Sequence, residues 1–167
     1  MLIEIRGEHL GDAKAVRDVN RLAFGQDEEG NIVDALRSHG AALLSLVAIV
    51  DGQVVGHIMY SPLSVAESQG AALAPIAVMP EHQRQGIGGQ LIEAGNRKLR
   101  EAGCPFVVVG GHAEYYPRFG FRPARTYGIS CEWELPDNVF MVLVLDPVKM
   151  QGVAGVAKYR HEFSTVS

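Results

Sequence analysis

The chain has 167 residues, 47% of them hydrophobic and 20% charged, which suits one globular domain with a full apolar core. Its formal net charge of −4 argues against a general nucleic-acid binder, whose surface usually carries a basic face. No apolar stretch reaches the ~20 residues needed to span a bilayer, so neither a membrane nor a nucleic acid is an expected partner.

The opening Met1-Leu2-Ile3-Glu4-Ile5-Arg6 lacks a basic region followed by a long apolar core, and no secretory leader is expected. Instead, residues 2–6 alternate apolar and polar as a first strand. Asp12 reads as the N-cap of a helix carrying Val16, Val19, Leu22 and Ala23 on one side. A second helix fits residues 28–39, with Ile32, Ala35 and Leu36 inward and Gly40 as terminator. Asp27, Glu28 and Glu29 stand where a helix start favours negative charge. Residues 43–50 and 54–60 are strand-like and joined by Asp51-Gly52, a strong hairpin turn, and Pro62 is expected to end the second run. Glu67-Ser68-Gln69-Gly70 reads as a polar turn before the uncharged strand 71–79. Pro75 inside that strand cannot donate to a ladder and suits an edge or a bulge.

A helix follows from Ile87, with Leu91, Ile92, Ala94, Leu99 and Ala102 on its apolar stripe. Gly95 weakens that helix by roughly 1 kcal/mol relative to Ala, so close packing against a strand is the expected reason for it. Gly103 and Pro105 end the helix, and Phe106-Val107-Val108-Val109 forms a short apolar strand. Strand, helix and strand in this order imply a parallel pair with a right-handed crossover. A last strand, 140–145, lies between Pro136-Asp137-Asn138 and Asp146-Pro147. The segment 146–167 shows no clear period and is read as a C-terminal extension of a single domain, 1–167, whose core spans about 2–145. Cys104 and Cys131 form no C-x-x-C pair, which fits a reducing, cytoplasmic compartment.

The glycine-rich turn at residues 83–89, between an apolar strand and an amphipathic helix, is built to cradle an anion. Backbone N–H groups left unpaired at a helix start point at the ligand, and the helix dipole adds to the attraction. Three phosphate motifs compete for it. A Walker A loop needs a Lys after its last glycine, and none is present. A dinucleotide fingerprint needs a third glycine where Leu91 stands, and an acidic residue where Gly110-Gly111-His112 follows the next strand. The match that remains is Gln83-x-x-Gly86-x-Gly88.

That stretch resembles the acyl-CoA pyrophosphate loop, Q/R-x-x-G-x-G/A, of the GNAT superfamily of N-acetyltransferases. Tyr115-Tyr116-x-Arg118-x-Gly120-Phe121 resembles the superfamily's later Y-x-K/R-x-G-F segment. With the Ala-Pro-Ile-Ala-Val strand, the two motifs are particularly similar to a branch of small bacterial acetyltransferases. The resemblance implies an α/β fold with a mixed, mostly antiparallel sheet, a splayed central parallel strand pair and flanking helices. It implies acetyl transfer from acetyl-CoA directly to a primary amine of a small-molecule or peptide acceptor. Ile76, Ala77 and Val78 would lend backbone groups to the pantetheine arm, with the Val78 N–H as oxyanion donor. Gln83, Arg84, Gln85, Gly86, Ile87, Gly88 and Gly89 would hold the pyrophosphate, and Tyr116 would be the general acid. Homodimers are common in the family, though no residue here points to one.

The chain departs from the pattern at two places. Its central strand has no carboxylate, and Gly110-Gly111-His112 replaces an Asn that many relatives carry. The general base is therefore sought among His57, His82, His112 and Glu28, with His112 first because it closes the second splayed strand and histidine titrates near neutrality. The histidines lack metal-ligand spacing, and no metal is expected. A non-catalytic acyl-CoA-binding module and an acetyltransferase acting on protein lysines or N-termini are the alternative readings.

Overall fold

The turn at Asp51-Gly52 places both residues in the left-handed region, at φ of 51° and 77°, and folds β2 (Leu44–Val50) back on β3 (Gln53–Val65). A two-residue turn with both φ positive matches the twist of the strands it joins, as the sequence predicts. The computed structural model describes residues 2–136 and 138–164; Met1, Asp137 of the expected late turn and residues 165–167 of the expected extension lie outside them. The described chain gathers into two compact units, and the chain passes from one to the other within β3, within β4 (Ser68–Val78) and within α3 (Ile87–Glu101).

The first unit takes residues up to Ser61, Ala74–Gly95 and the segment from His161. Its strands lie in the order β1-β2-β3, with β1 (Glu4–Gly7) antiparallel to β2 and β2 antiparallel to β3. Helices α1 (Ala13–Phe24) and α2 (Glu28–Ser38) bring Val16, Val33 and Leu36 onto Ala41, Val47 and Met59. Burying each such side chain contributes roughly 1.5–3 kcal/mol. Gly56 of β3 faces the other way, where an added Cβ would meet Ile87 and Leu91 of α3 at 3.1 Å. At Gly95 a Cβ would stand 2.4 Å from the Tyr60 hydroxyl, so this helical glycine does admit a strand residue at close range.

The second unit takes Pro62–Leu73 and Asn96–Arg160. Its strands run β3-β4-β5-β8-β6, with β5 (Phe106–Gly110) antiparallel to β8 (Phe140–Val144) and β6 (Arg122–Pro123) antiparallel to β8. β4 meets β5 in parallel through Ala71↔Val107 and Ala72↔Val108, as the strand–helix–strand order requires. Leu63, Phe106, Val108, Phe140, Val142 and Ala157 belong to its core. Lys149 donates to the Gly103 carbonyl at 2.7 Å, holding the C-terminal end of α3 where a cation is favoured.

Several sequence expectations are corrected. Pro62 does not end β3, which runs on to Val65: the register with β2 stops at Tyr60 and that with β9 (Gly155–Lys158) starts at Ser64, so neither of these two ladders includes Pro62. The polar turn is shorter than expected, because Ala66 takes φ of 51° and Ser68, Gln69 and Gly70 already belong to β4. Asp12 stands at the N-cap of α1 but does not cap it. Its carboxylate turns back to accept from Arg6 at 2.7 Å and from the His9 N–H at 2.7 Å, bonds that hold its pKa down at about 2. On α1, Asn20 is buried while Leu22 is exposed, and on α2 Val33 is buried along with the expected Leu36, while Ile32 and Ala35 are half-buried. The segment after residue 145 is not featureless: β9 pairs in parallel with β7 (Ile129–Cys131), and His161–Phe163 forms a helical turn. Both strands are too short to show a period. No described helix is long and apolar enough to cross a membrane.

Candidate active site

In the first unit, β4 ends at Val78, a helical turn follows at Pro80–His82, and α3 begins at Ile87. Between them Arg84 and Gly86 both adopt left-handed backbone, at φ of 64° and 83°. For Arg84 that conformation costs on the order of 1–2 kcal/mol, strain of the kind that collects at ligand sites. Alternating left-handed residues turn successive N–H groups toward a common point, a backbone concavity suited to an anion. The first helical bond runs from the Gln90 N–H to the Gly86 carbonyl at 3.1 Å. The amides of Ile87, Gly88 and Gly89 thus lie ahead of the helical ladder, at the positive end of the dipole of α3. Arg84 is exposed and always charged.

Gln83 ties this loop to the strand before it. Its side-chain amide donates to the Val78 carbonyl at 3.0 Å, and Met79 donates its N–H to Val55 at 2.8 Å, so the end of β4 is held from two sides. Ala77 is buried, while Ile76 and Val78 on the opposite face of the strand are half-buried.

In the second unit, Gly110-Gly111-His112 leads into the helical turn Tyr116–Phe119. The His112 carbonyl accepts the Tyr115 N–H at 3.1 Å, and Gly120 closes the turn at φ of 92°. Tyr116 is 5% exposed and stands edge-on to Tyr115 and Phe121. A Cβ on Gly111 would lie 2.9 Å from its ring. Burial, with the neighbouring Tyr115 phenol, pushes the Tyr116 pKa up to about 12.

The four candidate bases part company. His57 is fully buried, and both of its ring nitrogens are engaged, Nδ1 with the Asn20 amide at 3.2 Å and Nε2 with the Ser45 hydroxyl at 2.9 Å. Ser45 in turn donates to Glu8 at 2.5 Å, and Glu8 pairs with Arg37. Since Ser45 gives its proton to the carboxylate and Asn20 gives one to Nδ1, the histidine proton sits on Nε2. Desolvation, helped by the Arg37 charge, pulls the His57 pKa down to about 3, so the ring is neutral and enclosed and does not serve as a base. Glu8, at 4.0 Å, does not rescue the charged form because its oxygens are committed to Ser45 and Arg37. Glu28 is an exposed residue in the first turn of α2, where it meets the helix dipole. His82 is half-buried, with Nδ1 lacking a hydrogen-bond partner among the described residues. His112 is exposed. The chain Asn20–His57–Ser45–Glu8 had no signal in the sequence, because its members come from three elements and a loop.

A family profile, "Acetyltransferase (GNAT) family", matches residues 14–121, a span that begins in α1 and closes on Gly120-Phe121. The chain belongs to the GNAT acetyltransferase family. This acetyltransferase is 35% identical over 163 residues to the uncharacterized N-acetyltransferase YhbS of Escherichia coli, covering 96% of the chain and 98% of the relative. A crystal structure of YhbS in complex with CoA superposes with a TM-score of 0.93 at 34% identity, over 97% of this chain and 92% of that one. A GNAT acetyltransferase from Brucella melitensis in complex with acetyl-CoA gives a TM-score of 0.82 at 37% identity, over 97% and 98%. The expected α/β family fold is therefore the fold of this acetyltransferase, with its sheet of parallel and antiparallel strands.

Proposed function

We propose that this acetyltransferase moves the acetyl group of acetyl-CoA directly onto a primary amine of a small molecule or peptide. The observation that carries the reading is the loop in which Arg84 and Gly86 turn left-handed immediately before the N-terminus of α3. The CoA and acetyl-CoA complexes of the two bacterial relatives support it. Acetyl-CoA would supply the activated thioester carbonyl. The amides of residues 83–89 would hold the pyrophosphate, with the Arg84 guanidinium as a charge-assisted donor. Ile76, Ala77 and Val78 would offer backbone groups to the pantetheine arm. The Val78 N–H would donate to the carbonyl oxygen as charge develops there, on a residue whose own carbonyl is held by Gln83.

Tyr116 is proposed as the proton donor to the departing sulfur. With its pKa raised to about 12 the phenol keeps its proton at neutral pH. Complete transfer to a thiolate of ordinary pKa near ~8.5 would be uphill by about 5 kcal/mol, so donation of a hydrogen bond as the C–S bond breaks is the favoured form of the role. An aliphatic amine with a pKa near ~10 must lose a proton before it attacks, and the exposed His112 is proposed as its acceptor. A reducing cytoplasm is the proposed compartment, with Cys104 and Cys131 both as free thiols.

Calorimetric titration of acetyl-CoA into wild-type protein and Gly88→Leu tests the cofactor assignment. Equal affinity in the two proteins would remove it. Thiol release against a panel of amines then tests catalysis, and acetyl-CoA binding without turnover on any amine would leave the binding-module reading instead.

A further inference from the structure

His39, His161 and Glu162 come together in the first unit although His39 and Glu162 are 123 residues apart in sequence. His39 is the C-cap of α2, and His161 opens the helical turn His161–Phe163, which packs against α2. Phe163 sits against the apolar cluster of Val16, Val33 and Leu36, which anchors the turn. Glu162 is 1% exposed, while the side chains of His39 and His161 are 50% and 67% exposed. His39 Nδ1 lies 2.7 Å from Glu162 Oε2, His161 Nδ1 lies 3.6 Å from Oε1, and the two imidazoles stack with centroids 5.7 Å apart. One ligand atom from each of the three residues can be chosen so that all lie within 4.8 Å of one another.

We propose that these three side chains form a divalent transition-metal site, with zinc the ion they suit best. Two imidazoles and one carboxylate are a recognised zinc donor set that leaves a fourth position for water. Tetrahedral zinc, with bonds of ~2.0–2.2 Å, places its ligand atoms roughly 3.4 Å apart. The His161–Glu162 separation of 3.6 Å already matches, and the His39–Glu162 pair opens by about 0.7 Å as the proton between them leaves for solvent. The exposed rings give the metal its way in, and rotation about their side-chain bonds supplies the adjustment. A metal here ties the turn after β9 to the end of α2. Histidine spacing along the chain could not point to this cluster, since its members are local in space and two of them remote in sequence.

The test uses full-length protein with any affinity tag removed and after EDTA treatment. Calorimetric titration with zinc chloride should give one ion per chain, and zinc should raise the thermal midpoint, since a ligand of the native state stabilises it. His161→Ala and His39→Ala should each weaken zinc binding roughly tenfold or more and abolish the rise in midpoint, leaving the metal-free midpoint close to wild type. Cobalt(II) should give the visible absorption of a tetrahedral site in wild type and lose it in His161→Ala. No zinc heat up to about 100 μM, or binding that persists unchanged in both variants, would overturn the proposal.

Discussion

Gly111 stands where the Tyr116 ring needs room: a Cβ added there would lie 2.9 Å from Tyr116 Cε2. The ring is wedged between Tyr115 and Phe121 and cannot give way cheaply. Gly111→Ala should therefore cost about 1–3 kcal/mol of stability by overpacking and should displace the phenol. If Tyr116 is the proton donor, Gly111→Ala and Tyr116→Phe should both lower kcat, the latter by ~10²-fold or more, while acetyl-CoA affinity holds. Steady-state rates beside calorimetric Kd values make the comparison, and an undiminished kcat in Tyr116→Phe would falsify the donor role.

Gly95→Ala sets helix propensity against packing. Propensity alone would stabilise α3 by about 1 kcal/mol, but the new methyl would stand 2.4 Å from the Tyr60 hydroxyl and 2.5 Å from its ring. Overpacking of ~1–3 kcal/mol should win, so the denaturant midpoint should fall. A rise would mean that Tyr60 moves aside easily.

At Gly86 the argument is about backbone alone. Nothing lies within 4 Å of an added Cβ, but φ is 83°, a conformation that costs L-residues about 1–2 kcal/mol. Gly86→Ala should weaken acetyl-CoA binding about 5- to 30-fold if the loop conformation is what binds it. Calorimetry reads this directly, and an unchanged Kd would detach the loop from the pyrophosphate.

The enclosed His57 should make the fold sensitive to acid. Its native pKa, pulled down to about 3, lies below the ordinary value near 6.5, so the unfolded chain binds the proton first as pH falls. The contribution is present in full above pH ~6.5 and is lost progressively toward pH 3, at no more than about 1.4 kcal/mol per pH unit. Urea midpoints of wild type and His57→Gln between pH 7 and 4.5 should diverge, with the variant lacking this slope. Parallel curves would show that His57 does not carry the acid response. Asp12 acts in more acidic solution: its contribution is present above the ordinary carboxylate value of 3.8 and is lost as pH falls toward its native pKa of about 2.

What the sequence determined by itself was everything governed by local chemistry. Asp51-Gly52 forces its hairpin, Gln83-x-x-Gly86-x-Gly88 announces a loop ahead of a helix, and Gly103 with Pro105 stops α3, because turns and caps depend on the residues that make them. Pro62 and Asp12 misled for the complementary reason. Whether a missing N–H matters depends on which strand lies alongside, and a carboxylate caps a helix only if no better partner, here Arg6, competes for it. The tertiary structure alone decided that His57 is sealed off with Asn20 and Ser45, that Gly111 makes way for Tyr116, and that His39 meets His161 and Glu162. Each of these is a distance between side chains brought together by folding, and burial then fixes the charge state, which no spacing along the chain encodes.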